Sequence, residues 1–144
     1  MFGVSCLNLH WRPKDSHFIL YVDGQAVSHV GVLKHVVSVG GEPLTVGGIG
    51  GVVTVPAEQK RGHARELMQC ATRMFEEWRV DAGLLFCFKR MVAYYESQGW
   101  RTVERQVLIE QPAGERTSPL EVMALTFGER SWPNREVKLN SLPW

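Results

Sequence analysis

The residues most able to do chemistry lie together in Gln59-Lys60-Arg61-Gly62-His63-Ala64. They follow the apolar run Val52-Val53-Thr54-Val55-Pro56 and open an amphipathic segment from Ala64 to Trp78. A strand, a short cationic turn with a glycine, then a helix: that order builds a cradle for anions. The first N–H groups of a helix lack partners inside it and sit at the positive end of its macrodipole. A phosphate or pyrophosphate placed there collects several hydrogen bonds at once. Gly62 allows close backbone approach, and Ala64 keeps the surface low. A phosphorylated ligand is the expectation. A structural turn with solvated charges is the alternative.

Apolar periodicity sets out the elements that must position this turn. His17–Val22 reads as a strand, and Asp23-Gly24 as a two-residue hairpin. Gln25–Val39 is a long strand rich in valine, and Gly40-Gly41-Glu42-Pro43 a second turn. Leu44–Val55 completes an antiparallel meander. Its run Gly47-Gly48-Ile49-Gly50-Gly51 predicts a bulge or a close approach, because glycine otherwise weakens a strand. Ala64, Leu67, Met68, Ala71, Phe75 and Trp78 recur at helical spacing and form a core stripe. Leu84–Phe88 is a strand buried on both faces, running parallel to Val52–Val55 after a right-handed crossover. A second helix follows over Arg90–Gln98, with Gly99 as its stop. Arg101–Glu110 and Leu120–Phe127 are two further strands around the turn-rich Gln111–Pro119. Phe2–Leu9 has the pattern of a short strand inside an irregular lead, residues 1–16. The tail, residues 128–144, carries enough aromatic residues to pack.

The predicted order is β-β-β-α-β-α-β-β: an α/β fold with a mixed sheet, a β-meander running into β-α-β-α-β-β. All 144 residues are expected to form one domain. The glycine pattern of a doubly wound dinucleotide fold is absent, as is the Gly-Lys-Ser/Thr of a P-loop. A net charge of +1 gives no general field for nucleic acid. No run has the length of a membrane span and the start lacks a signal-peptide pattern, so the expectation is a cytoplasmic protein. Cys6, Cys70 and Cys87 are odd in number and widely spaced, which points to reduced thiols and to no metal site.

Two motifs resemble those of the GCN5-related N-acetyltransferases (GNAT). Gln59-x-x-Gly62-x-Ala64 is similar to the family's Gln/Arg-x-x-Gly-x-Gly/Ala. Tyr94-Tyr95-Glu96-Ser97-Gln98-Gly99-Trp100 is similar to its Tyr-Glu-x-x-Gly-Phe segment. Their order, with a helix and a buried strand between, makes the resemblance specific over residues 17–127. It implies acetyl-coenzyme A as cosubstrate and direct attack by an amine on the thioester. The backbone at Val53 and Val55 would pair with the pantetheine arm as an added strand. Gln59, Lys60, Arg61, Gly62, His63 and Ala64 would hold the pyrophosphate, and a backbone N–H near Val53 would polarise the carbonyl. The bulge near Gly50 and Gly51 would open the acetyl site. Tyr95 would return a proton to the leaving thiolate; a core tyrosine is the alternative.

A narrower resemblance is to the aminoglycoside 2′-N-acetyltransferases, through the Tyr-x-Ser-x-Gly-Trp style of the second motif and a tail ending in Trp144. It implies a C-terminal carboxylate at the acceptor site; the alternative is a tail packed over the sheet edge. Three departures stand beside it. The Glu those relatives use as a relayed base is matched by Gly50. The Asn that many members place before the second helix is matched by Phe88. The helices that normally wall the acceptor pocket have too few residues before His17. That shortened N-terminal region implies an open site, a partner chain such as a homodimer that completes it, or a truncated protein. The acceptor would be a primary amine on a small molecule or a peptide, with no nucleic-acid or membrane partner. The alternatives are a catalytically degenerate acyl-coenzyme A binder, and a module whose Trp-bearing tail docks a partner.

Overall fold

The computed structural model describes residues 7–144. Nine strands and two helices form one strongly curled mixed sheet, ordered β5-β8-β4-β3-β2-β9-β6-β7, with β1 paired to β2 alone. The meander is β1 (Ser16–Val22), β2 (Gln25–Val39) and β3 (Glu42–Thr54). The hairpin turn falls on Asp23-Gly24, and β2 has the predicted bounds. Then come α1 (His63–Glu77), β4 (Ala82–Cys87) and α2 (Val92–Glu96). The short strands β5 (Arg101–Thr102), β6 (Val107–Gln111), β7 (Gly114–Thr117), β8 (Glu121–Thr126) and β9 (Val137–Lys138) follow.

Each face of the sheet carries its own core. On one face Leu67, Met68, Ala71 and Phe75, the buried stripe of α1, close over Val30, Val32, Ile49 and Leu85. Phe75 and Trp100 approach so near that Gly47 and Gly83 have no room for a β-carbon. On the other face Leu33, Val37, Val46 and Leu84 are covered by β6, β9 and the tail, through Val107, Ile109, Val137, Leu139 and Trp144. The tail is therefore a structural layer.

Several expectations need correction. The strand expected over Arg101–Glu110 is two strands. Arg101–Thr102 pairs with β8, the chain then bends at Arg105, and Val107–Gln111 pairs with β7 and β9 at the far end of the sheet. Apolar alternation is similar in both pieces, so the break does not show in the pattern. The segment 111–119, expected as a loop, is largely a hairpin containing β7. The second helix is shorter than Arg90–Gln98: a 3-10 turn at Lys89–Met91 precedes Val92–Glu96. The expected strand over Phe2–Leu9 falls mostly outside the described residues, and residues 7–9 are not strand.

The parallel pairing of β3 with β4 exists, but it lies earlier than expected. Val46–Ile49 pairs with Ala82–Leu85, and Val52–Val55 pairs with no part of β4. The two strands separate beyond Ile49 and Leu85.

Candidate active site

The separation of β3 from β4 begins at a bulge. Gly31 pairs with Gly50 and His29 with Val53, so two residues, Gly51 and Val52, stand opposite Val30 alone. Gly51 has φ +61°, a conformation glycine adopts without strain. A bulge bends its strand and increases the local twist. That bend turns the end of β3 away from β4. His29 sits against it, with its Nδ1–H donating to the Gly51 carbonyl oxygen at 2.6 Å. The ring's Nε2 is then the acceptor for His17 Nδ1–H at 2.8 Å.

The split opens a cleft of about 600 Å³ that reaches both faces of the sheet. Its walls include Val52, Val53 and Thr54 of β3, Cys87 at the end of β4, and Gln59, Lys60 and Ala64 from the predicted cradle. Tyr94 and Tyr95 line the α1 face, and Trp11, Phe86 and Trp144 the opposite one. A second groove of about 580 Å³ runs along the outer side of α1, between Arg65 and Gly128. It contains neither an open strand end nor a predicted catalytic residue.

The cradle forms as a helix N-terminus without a side-chain cap. Gly62 is the N-cap at φ +80°, and the first helical bond runs from Glu66 N–H to its carbonyl. The N–H groups of Gly62, His63, Ala64 and Arg65 have no protein acceptor among the described residues. These four orphan donors stand where the sequence predicts an anion site. The side chains behave differently. Glu58 pairs with His63 at 3.0 Å and with Arg61 at 3.5 Å. Gln59 Nε2 donates to the Thr54 carbonyl at 3.2 Å and ties the cradle to the end of β3.

Val55 is not part of the cleft. Its N–H donates to the Val27 carbonyl at 2.9 Å, inside the β2–β3 ladder. Main-chain groups alternate in direction along a strand. Val53, two residues earlier, also turns its backbone toward β2 and offers only its side chain to the cleft. The edge facing the split belongs to Val52 and Thr54. The bulge decides this parity, which counting along the sequence does not reveal.

Tyr95 is buried, with its ring edge-on to Tyr94 at a centroid distance of 5.0 Å. Its hydroxyl has no hydrogen-bond partner among the described residues. Burial raises its pKa well above the ordinary value, with Cys87 and then Tyr94 adding to the rise. The phenol is therefore in its donating form. Cys87 is likewise pushed up to about 11, chiefly by burial and then by Glu121, so its thiol stays protonated and unreactive.

Trp144 fills the other side of the split. It is 2% exposed, donates its indole N–H to the Leu84 carbonyl at 3.2 Å and meets Phe86 edge-on at 5.6 Å. The glycines of β3 make this possible. A β-carbon at Gly48 would sit 2.5 Å from the indole nitrogen, and one at Gly50 would sit 2.8 Å from the Trp144 main-chain carbon. Gly50, where a Glu was looked for, is a glycine because Trp144 and the Lys14 side chain occupy its space.

Arg12 N–H donates to the Pro143 carbonyl at 2.9 Å. The Arg12 guanidinium reaches His35 Nδ1 at 3.2 Å and Ser141 Oγ at 3.3 Å. His35 Nε2–H donates to the Leu139 carbonyl at 2.8 Å, which leaves Nδ1 as the acceptor for Arg12. Among the described residues the lead and the tail are thus tied together over the second face. Trp11, Lys14, Cys87 and Leu120 were not foreseen. Their only sequence signals are an aromatic and a lysine in a loop, the last residue of a buried strand, and a leucine after Pro119.

The chain matches the model of the acetyltransferase (GNAT) domain over residues 10–103, well over half its length. It belongs to the GNAT acetyltransferase family. No curated protein matches it in sequence. Among solved structures it is similar to a GNAT family N-acetyltransferase from Escherichia coli in complex with CoA. That likeness has TM-score 0.65 and 15% identity, covering 94% of this chain and 71% of that one. It is similar to a GNAT acetyltransferase from Brucella melitensis in complex with acetyl-CoA, with TM-score 0.59, 18% identity and coverage of 94% and 70%. A third is the ribosomal-protein-S18-alanine N-acetyltransferase from Escherichia coli, with TM-score 0.56, 19% identity and coverage of 82% and 74%. The chain spans only 22–23% of four larger matched chains. At these identities the structures establish the shared fold: a curled α/β sheet with two helices. No helix among the described residues is long and apolar enough to cross a membrane.

Proposed function

We propose that this GNAT domain transfers the acetyl group of acetyl-coenzyme A to a primary amine of a small molecule or peptide. One observation carries the reading: orphan helix amides, an open strand edge and an unpartnered tyrosine hydroxyl all meet the same cleft. The N–H groups of Gly62 to Arg65 would take the pyrophosphate, with Lys60 and Gln59 beside it. Val52 and Thr54, in place of Val53 and Val55, would offer main-chain groups to the pantetheine amides. The amine attacks the thioester carbonyl from the second face, a carbon–sulfur bond breaks, and the thiolate leaves toward Tyr95. The phenol donates a hydrogen bond to the growing negative charge. Its raised pKa makes full proton transfer uphill unless the thiolate is poorly solvated, as it is in a closed cleft.

The acceptor side speaks against a polycationic acceptor. Gly50 supplies no side-chain carboxylate, and the Lys14 side chain and the terminal main-chain carbon of Trp144 lie beside it. The aminoglycoside likeness rests only on the second motif and the Trp-bearing tail, so a small amine or a peptide N-terminus fits better. The same missing carboxylate favours, as a second reading, an acyl-coenzyme A binder without turnover. Calorimetry with acetyl-coenzyme A tests the cleft, and micromolar binding is expected. Thiol release with a panel of amines then separates enzyme from binder. Lack of coenzyme binding refutes both readings.

A further inference from the structure

Lys14 lies where an acceptor amine is wanted. Gly31 and Gly50 are cross-strand partners on β2 and β3, and the Lys14 side chain runs over both. Its Cγ is 2.6 Å from the position a β-carbon of Gly31 would take, and its Nζ is 3.1 Å from that of Gly50. Side chains at both positions would close this track. Asp15 N–H, donating to the Val32 carbonyl at 2.9 Å, anchors the backbone beside it. Gly50 is itself a wall of the cleft, against Trp144 on the face opposite Tyr95.

Among the described residues Lys14 makes no ion pair. Burial disfavours the ammonium form and lowers the pKa, with the terminal main-chain carbon of Trp144 against the same Gly50 position as the one acidic group beside it among those residues. A neutral lysine amine is a nucleophile, whereas the ammonium is not. Nζ lies beside Gly50, which is itself a wall of the cleft.

Given the acetyl-coenzyme A reading above, on which this rests, we propose that Lys14 is itself an acetyl acceptor, modified in cis by the coenzyme bound in the split. The Lys14 nitrogen forms a bond to the acyl carbon and the carbon–sulfur bond breaks. Coenzyme A leaves as its thiolate and takes up the proton lost from nitrogen. The product is a neutral amide at the mouth of the acceptor side, so the modification removes the site's cation and narrows the entrance for an external amine.

The test uses the full chain with acetyl-coenzyme A and no added amine, with calorimetry on the same preparation. Intact mass and peptide mapping are followed over time. One acetyl group on Lys14 is expected, at a rate unchanged when the protein is diluted. It should appear at least about tenfold faster than acetylation of Lys34, Lys60, Lys89 or Lys138, as expected for a reaction within a bound complex. Lys14→Arg removes the fast modification and leaves coenzyme binding intact. If the coenzyme binds but Lys14 gains no acetyl group, or gains it no faster than the other lysines, the inference fails and the cleft reading stands. A rate that rises with protein concentration overturns the reaction in cis. If the coenzyme does not bind, the cleft reading itself falls, and the inference with it.

Discussion

Replacing Trp144 tests whether the tail is structurally part of the site. The side chain is 2% exposed, lies against Phe86 and His35, and donates to the Leu84 carbonyl at 3.2 Å. A tryptophan buries on the order of 200 Å², which at about 25 cal/mol per Å² is ~5 kcal/mol. Measured truncations of large aromatic residues cost about 3–5 kcal/mol because the cavity partly relaxes. Trp144→Ala is therefore expected to cost about 3–5 kcal/mol. Trp144→Phe keeps a ring against Phe86 but loses the N–H bond and some area, and should cost about 1–2 kcal/mol. Urea unfolding of parent and variants is the assay. The midpoint should fall in the order parent, Phe, Ala, with the slope unchanged, because the surface exposed on unfolding is nearly the same. For a domain of this size each kcal/mol is worth about 2–4 °C in melting temperature, so the alanine variant should melt roughly 6–20 °C lower. An alanine variant within about 1 kcal/mol of the parent refutes the packed wall, because no deeply buried tryptophan is so dispensable. Equal losses for Phe and Ala would mean that the N–H bond, and not the filled volume, holds the tail.

Three further outcomes follow from the cleft. Tyr95→Phe should lower turnover about a hundredfold or more while the coenzyme dissociation constant stays nearly constant; an equal collapse of affinity, read by calorimetry, would make Tyr95 purely structural. Gly62→Ala meets open space but must hold φ +80°, so about 1–2 kcal/mol of strain is expected, together with weaker coenzyme binding. Gly62→Asn should recover much of both, since Asn tolerates that region, and an unaffected Ala variant would show that the cradle backbone is not held as described. Cys87 is raised from 9.0 to about 11, so its contribution to stability is full below pH 9 and is lost as pH rises toward 11. Alkylation followed by peptide-resolved mass spectrometry should find Cys87 inert near neutrality and reactive only within that window, and rapid labelling of the folded protein at neutral pH would contradict the burial.

Much of this site was legible in the chain because its signals are local. A hairpin needs two residues, a helix start needs a turn, and an amphipathic stripe needs about four turns of helix. Asp23-Gly24, the bounds of β2, the cradle from Gln59 to Ala64 and the stripe of α1 therefore stand where the residues place them. The misread parts depend on distant partners. Arg101–Glu110 reads as one strand, yet its halves pair at opposite ends of the sheet. Val53 and Val55 seem equivalent to Val52 and Thr54 until the bulge sets which way each backbone faces. His63 and Arg61 are cationic neighbours of an anion site, but Glu58 already holds both.

The amino-acid sequence alone determined the class of fold, the position of the glycine-capped helix start and the family. Those rest on periodicity and on two short motifs. Tertiary structure decided how deep the split between β3 and β4 runs, which edge of β3 faces it, and what stands at Gly50. A glycine is silent in sequence about what fills the space it leaves. Only the folded chain shows that residues from three distant parts of the sequence, Lys14, Gly50 and Trp144, compete for one volume beside the cleft.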